Sequence, residues 1–255
     1  MFNMLIKKFL TYLYKTYMSE RRFAQEQLFL PDPGARLLDC GCREGDGTLR
    51  VSKGIRTKDL IGTDYNSQVL AIAKNRGIAT LQADLNRSIP LLSNSIDINL
   101  ASDVLEHLTD PFIFTGEMFR ALKPGGFLIL DTPILASWHN IFALLIGTQP
   151  FSGPNVTTMT DADIPLVREM HRVDHQLPEE GITEVIHEQD VNRYIVVIAY
   201  QSLLKWIRRQ GFILEMVKGF GYYPLLPLLG RIFQRLDPRH AHHILVKAVK
   251  PSHNL

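Results

Sequence analysis

The segment "RLLDCGCREGDG", residues 36–47, starts as an apolar run and ends as a string of small residues. Gly41 lets the backbone turn and approach a ligand with no side chain in the way. Gly45 does the same where a helix would begin, and Gly47 adds freedom. Asp39 comes just before the turn, near where a ligand's positive group would sit. The spacing is G-x-x-x-G-x-G. It matches neither the dinucleotide fingerprint G-x-G-x-x-G nor the phosphate loop that ends in Gly-Lys-Ser/Thr. Arg43 stands where the first of these patterns carries a glycine. Asp64 closes the next apolar run, where an acidic side chain can accept hydrogen bonds from both ribose hydroxyls. An adenosine-type ligand fits, and NAD is not separated from other adenosine cofactors by this residue.

Asp84 and Asp103 end two further apolar runs. Four acids at four run ends suggest one shared site; the competing reading is that each caps the helix after it. His107, in "DVLEHL", is the best-placed general base, against a role in starting the next helix. Glu106 either caps that turn or holds a basic partner. Asp103, Glu106 and His107 offer mixed oxygen and nitrogen ligands, but no metal is expected. His171 and His175 would share a helix face with Glu169 and Asp174 nearby, as a proton or metal site or as a polar surface cluster. The histidines of "RHAHH", 239–243, are expected at the surface. Cys40 and Cys42 have no matching second pair for a metal, so buried small side chains are the better account.

These residues need elements to hold them. From residue 36 to 130, short apolar runs alternate with helical patterns. "RLLDCGC", "DLIGTDY", "IATLQADL", "IDINLASDVL" and "FLILDTP" read as strands. "GTLRVSKGI" and "SQVLAIAKNRG" read as helices, the second capped by Asn66 or Ser67 and stopped by Gly77. A third helix, "DPFIFTGEMFRALKPGG", has Asp110 as N-cap, Pro111 at its first position and Gly125 just beyond its end. "YQSLLKWIRRQGF" gives a last helix, and "FILEMVKGF" and "HHILVKAVK" two last strands. This order implies an α/β fold, a Rossmann-like, doubly wound, mostly parallel seven-stranded sheet that binds ligands beyond the carboxyl ends of its strands. Residues 1–35 form an N-terminal helical segment and 36–132 the core. Residues 133–200, rich in proline and glycine and without an obvious strand–helix unit, are an insertion that walls the acceptor site. Residues 201–255 complete the core.

A 255-residue chain with 45% hydrophobic and 21% charged residues suits a globular protein with a real core. A formal charge of +2 without a basic stripe gives no case for nucleic acid. Two cysteines make no disulfide framework, and a cytoplasmic location fits. Lysines 7, 8 and 15 break the apolar N-terminus, so neither a bilayer span nor a signal peptide is read there. Phe2, Leu5, Ile6, Phe9, Leu13 and Tyr17 recur at helical spacing; they pack on their own domain or, as the second reading, touch a membrane. The tail "GYYPLLPLLGRIF" reads as a loop on the core, or as a contact for lipid or an apolar substrate.

Four segments, "LLDCGCREG", "IGTDYN", "ADLNRSIPLLSNSIDINLASDVLEHLTDP" and "RALKPGGFLIL", follow in order at familiar distances. Together they resemble class I S-adenosylmethionine-dependent methyltransferases, in particular the small-molecule group with a D-x-L-E-H-L segment. The resemblance is close over residues 36–133 and weak beyond. It implies S-adenosylmethionine as cofactor. It implies that Asp39, Gly41, Cys42 and Gly45 line the methionine part, that Asp64 holds the ribose hydroxyls and that Tyr65 lies beside the adenosine. It further implies that Asp84 and Leu85 meet the adenine, that Ser102 and Asp103 border the reacting methyl, and that Lys123, Pro124, Gly125 and Gly126 turn into the fifth strand. Arg43 departs from the glycine the family most often has; it either points to solvent or reaches an acidic group. The expected function is in-line methyl transfer to a small-molecule, glycan or lipid-linked acceptor. A quinone or isoprenoid-type methyltransferase, a non-catalytic binding protein and an NAD-dependent dehydrogenase are the alternatives.

Overall fold

The computed structural model describes residues 2–153 and 194–252. Seven strands form one sheet: β1 (Arg36–Cys40), β2 (Asp59–Asp64), β3 (Ala79–Gln82), β4 (Ile96–Ser102), β5 (Leu122–Pro133), β6 (Ile213–Phe220) and β7 (His243–Val249). Their order is β3-β2-β1-β4-β5-β7-β6. The pairings β1–β2, β1–β4, β2–β3 and β4–β5 are parallel. Helices α1 (Phe2–Glu26), α2 (Asp46–Ile55), α3 (Ser67–Asn75), α4 (Pro111–Ala121), α5 (Trp138–Leu145), α6 (Tyr200–Arg209) and α7 (Pro227–Leu236) complete the described elements, with short 3-10 turns at Leu105–His107 and Pro238–His240.

The chain divides into two compact units. The first unit comprises Met1–Arg21, Pro133–Tyr200 and Lys218–Ile244; the second comprises Arg22–Thr132, Gln201–Val217 and Leu245–Leu255.

In the second unit the local signals act where the sequence puts them. Asn66 caps α3 by accepting from the Gln68 amide, and Asp110 caps α4 by accepting from the amides of Phe112 and Ile113 at 3.0 and 3.1 Å. Pro111 takes the first turn of α4, where no N–H is needed. Leu37, Leu38, Leu128, Ile129 and Leu130 have essentially no exposed surface, as expected of parallel strands covered on both faces. Phe114 and Met118 of α4 fill the same core. Lys250, just after β7, donates to the carbonyls of Phe119 and Leu122, both at 2.8 Å, and ties that strand's end to the α4–β5 corner.

Several expectations need correction. Residues 123–126 fall within the range of β5 but outside its pairing: Ile96 faces Leu122 and Ile98 faces Phe127, so these four residues bulge out between them, as a turn into the main run of the strand. Gly125 therefore falls in that bulge and not just beyond α4. The stretch after residue 133 contains a helix, α5, and the tail read as a loop contains another, α7. Pro227 starts α7 instead of breaking it, because proline is tolerated in the first turn. In α1, Leu10, Leu13 and Tyr17 are buried while Leu5 and Phe9 are exposed; the side chains of Phe2 and Ile6 lie outside the described residues. His242 and His243 are buried, contrary to the surface expectation, because they lead into β7.

Replacing Phe114, the largest fully buried side chain of α4, by alanine leaves a cavity the parallel strands cannot close. The expected cost is about 3–5 kcal/mol, read as a fall in the urea midpoint.

Candidate functional site

The strand order reverses direction at β1: the chain runs outward through β2 and β3, then returns to place β4 and β5 on the other side. A crevice opens at such a point, beyond the carboxyl ends of the strands. The parallel registers bring those ends level. Cys40 pairs with Thr63 and Ala101, Asp64 with Gln82, and Ser102 with Asp131. The sequence-selected residues therefore converge on one edge of the sheet. Asp39 is the penultimate residue of β1, Asp64 ends β2, Ser102 ends β4 and Asp103 follows it.

The loop after β1 is tightly turned. Gly41, Arg43 and Gly45 all take positive φ, at 68°, 50° and 88°. A Cβ at Gly41 would come within 2.8 Å of Val104, and one at Gly45 within 2.3 Å of Ile78, so the turn packs directly on the β4 exit and on the start of β3. The Cys42 amide donates to the Thr63 carbonyl at 2.9 Å, pinning the loop to β2. Arg43 accepts the strain of a left-handed conformation, and its backbone N–H donates to Asp64 Oδ2 at 3.1 Å. Its side chain is 74% exposed and lies 3.9 Å from Glu44. The side chain is thus directed largely to solvent, beside Glu44.

Asp64 is buried, and its other oxygen accepts from the Asn66 amide at 2.9 Å. Two backbone donors hold the carboxylate still and leave it lone pairs for two more donors, which is what a ribose diol offers. Asp39 is buried deeper in the edge. Burial drives its pKa up from 3.8 to about 7; the Thr48 hydroxyl, which donates at 2.5 Å, and the Arg50 charge pull it down, and the Asp64 charge pushes it up again. A buried acid poised near neutrality beside a second carboxylate is suited to a cationic group.

Around β4 the geometry adds residues that sequence reasoning missed. Gln25, near the end of α1, donates to the Ser102 hydroxyl at 2.6 Å and accepts from Arg50 at 3.2 Å. Nothing in its sequence context marked it. Asp103 is left-handed (φ 52°), a conformation aspartate tolerates better than most residues, and its amide donates to the Asp131 carbonyl at 2.9 Å. Glu106 is fully buried and accepts from the Thr132 hydroxyl at 3.0 Å. Burial, with the charges of Asp103 and Asp131, holds its pKa well above the usual range. Glu106 is thus a buried acid, not a cap. His107 is half-buried at the end of the 3-10 turn.

On the β3 side, Tyr65 is 77% exposed and Leu85 is buried. Asp84 is half-exposed and held below its ordinary pKa, chiefly by the Asn86 amide. Asn86 in turn accepts from the amide and hydroxyl of Thr109, at 2.7 and 2.9 Å, joining the loop after β3 to the loop before α4. Cys40 and Cys42 are free and buried; burial lifts the Cys42 thiol to about 12, so neither is a ready thiolate. His171 and His175, with Glu169 and Asp174, lie outside the described residues.

Two outcomes follow. Arg43→Gly keeps the N–H to Asp64 and relieves the left-handed strain, so melting should show stability unchanged or raised by up to about 1 kcal/mol; Arg43→Pro, which loses the donor, should cost on the order of 2–3 kcal/mol. The folded pKa of Asp39 lies above its ordinary value, so the native state holds an extra proton between about pH 4 and pH 7. Its contribution to stability is complete below that window and is lost as pH rises through it, with a limiting slope of about 1.4 kcal/mol per pH unit. Glu106 acts in the same sense. A pH series of melting curves should flatten in Asp39→Asn.

Residues 38–130 match the methyltransferase domain family. The chain is 33% identical over 104 residues to a probable S-adenosylmethionine-dependent methyltransferase of Mycolicibacterium smegmatis, covering 39% of this chain and 38% of that protein. It is 29% identical over 119 residues to a demethylmenaquinone methyltransferase of Staphylococcus aureus, covering 44% and 49%. The chain thus spans less than half the length of these curated relatives. In fold it is similar to an S-adenosylmethionine-dependent methyltransferase of Mesorhizobium loti, with a TM-score of 0.57 and 19% identity over 89% of this chain and 96% of that one. The switch-point edge, its buried Asp39 and clamped Asp64, and these matches lead to one assignment: residues 38–130 form a class I S-adenosylmethionine-dependent methyltransferase domain.

Proposed function

We propose that the chain is an S-adenosylmethionine-dependent methyltransferase acting on a small-molecule, glycan or lipid-linked acceptor. The observation that carries this reading is the pair of fixed carboxylates at the switch point. Asp64 is held by two backbone donors, and Asp39 is buried beside the strained Gly41–Gly45 turn. The donor set fits the cofactor: a buried acid for a cationic amino-acid end, and a carboxylate with spare acceptor capacity for a ribose diol. Bound there, S-adenosylmethionine supplies a methyl group already activated by its sulfonium.

In this reading Asp39, Gly41, Cys42 and Gly45 hold the methionine part and Asp64 the ribose hydroxyls. Tyr65, Asp84 and Leu85 border the adenine. Ser102, fixed by Gln25, and Asp103 border the reacting carbon. The chain's main contribution is alignment, which can supply several kcal/mol of barrier reduction. A hydroxyl acceptor also needs its proton removed, and His107 is the proposed base. Glu106 is not: it is enclosed and tied to Thr132, and burial raises its pKa. No helix among the described residues is long and apolar enough to cross a membrane.

Titration calorimetry with S-adenosylmethionine and S-adenosylhomocysteine tests the reading. Both should bind, and Asp64→Ala should weaken binding by about 1.5–3 kcal/mol, roughly ten- to a hundredfold. No heat with the intact chain, or an unchanged affinity in Asp64→Ala, would sink the cofactor assignment. A radiolabelled-methyl screen of cell extract, fractionated into lipids, sugars, proteins and RNA, then identifies the acceptor class; binding without transfer to any fraction favours a non-catalytic role.

A further inference from the structure

Two helices of the first unit carry apolar stripes on their outward faces. In α5 the inward residues are mostly polar: His139 is 4% exposed and Asn140 0%, with Ala143 the one apolar residue buried beside them. Both polar residues are bonded to Ser152, Asn140 by donating to its carbonyl at 3.0 Å and accepting from its amide at 2.9 Å, His139 through its hydroxyl at 3.3 Å. The outward residues are Trp138, Phe142 and Leu145, at i, i+4 and i+7, exposed by 43%, 44% and 79%. In α7 the inner face holds Gly230, which is buried, and the half-buried Phe233, which packs on Tyr222. Leu228, Ile232 and Leu236, at i, i+4 and i+8, are exposed by 71%, 50% and 72%, with Leu229 beside them. A helix on a water-facing protein surface does the opposite: its apolar stripe faces the core.

The two stripes belong together. The Trp138 indole N–H donates to Asp237 Oδ2, at the end of α7, at 3.1 Å, and its ring packs on His240 with centroids 4.7 Å apart. In the same unit α1 adds an outward run, Leu5, Phe9 and Tyr12, with Lys8 and Lys15 also exposed. An apolar surface of this kind marks a contact.

Charge selects the occupant. Residues 134–153 contain no Asp, Glu, Lys or Arg, and residues 220–236 contain only Arg231 and Arg235. Both arginines sit on one flank of the α7 stripe; Arg231 is paired with Glu20 and Arg235 is exposed. Arg239 follows, also exposed and 3.7 Å from Asp237, so Arg235 is the cation on this flank that no acid faces among the described residues. Apolar residues on one face, a tryptophan at the border and cations along the flank are the features of a segment that lies in a bilayer interface and meets anionic headgroups. A second copy fits less well, because a two-fold contact would set the same positive flank against itself. We propose that α5 and α7 form a docking surface for an anionic lipid bilayer, on which the protein lies without crossing it.

Vesicle flotation of the intact chain, without cofactor or acceptor, tests this independently of the methyl-transfer reading. The chain should float with phosphatidylcholine vesicles containing phosphatidylglycerol, and far less with phosphatidylcholine alone or in high salt. The triple variant Leu228→Ser, Ile232→Ser, Leu236→Ser should lose at least about tenfold in partitioning with its melting temperature kept, since these side chains are exposed, and Arg235→Gln several-fold. In a Trp206→Phe background, brominated lipid chains should quench Trp138. Absence of flotation with either vesicle would overturn the proposal, as would unchanged flotation in the triple variant. So would a dimer in solution that the triple variant splits, which would assign the stripe to a second copy.

Discussion

The position of Asp39 depends on the register of β1. Leu37 and Leu38, on opposite faces of this strand, have no exposed surface, so neither face can trade places with the other without moving a carboxyl group into hydrocarbon. The flanking strands enforce the same register twice: Asp39 pairs with Gly62 on β2 and with Leu100 on β4. Once β1 is fixed, the ends of β2 and β4 are fixed beside it, and with them Asp64, Ser102 and Asp103. The site is therefore a consequence of sheet pairing before any loop is considered.

The loop then converts that edge into a binding surface at a local cost. Three left-handed residues within five positions are unfavourable unless their surroundings over-determine them, and here they are held by bonds to β2 and by packing on Val104 and Ile78. Arg43 shows why a non-glycine residue survives there. What the site takes from position 43 is its backbone N–H, which any residue but proline can offer; the side chain is left to water. A loop can therefore depart from a glycine pattern and keep its hydrogen bonds.

What could be read in the sequence follows the same division. The alternation of strands and helices, the caps Asn66 and Asp110 and the acids at the strand ends are local signals, and each acts within a few residues. Gln25 was not legible because its role is a contact across 77 positions with Ser102. Glu106 was misjudged because a cap and a buried acid look alike until burial is known. The helices α5 and α7 were missed for a different reason. Pro227 and Gly230 in α7, and Pro133 and Gly147 on either side of α5, resemble loop punctuation, and the apolar stripes of these helices face outward, not inward as the pattern assumes.

That last failure is informative, because breaking a local rule needs compensation somewhere. In α5 the inward polar groups are compensated within the chain, by Ser152. In the second unit the buried Asp39 is partly compensated by Thr48 and Arg50 and keeps a raised pKa. The outward leucines of α7 differ from both. Their exposure to water is unfavourable, while the inner face of the helix is held by Gly230 and by Phe233 against Tyr222. The lipid-docking proposal assigns the compensation for α5 and α7 to an external apolar phase, with Arg235 beside the stripe favouring an anionic one.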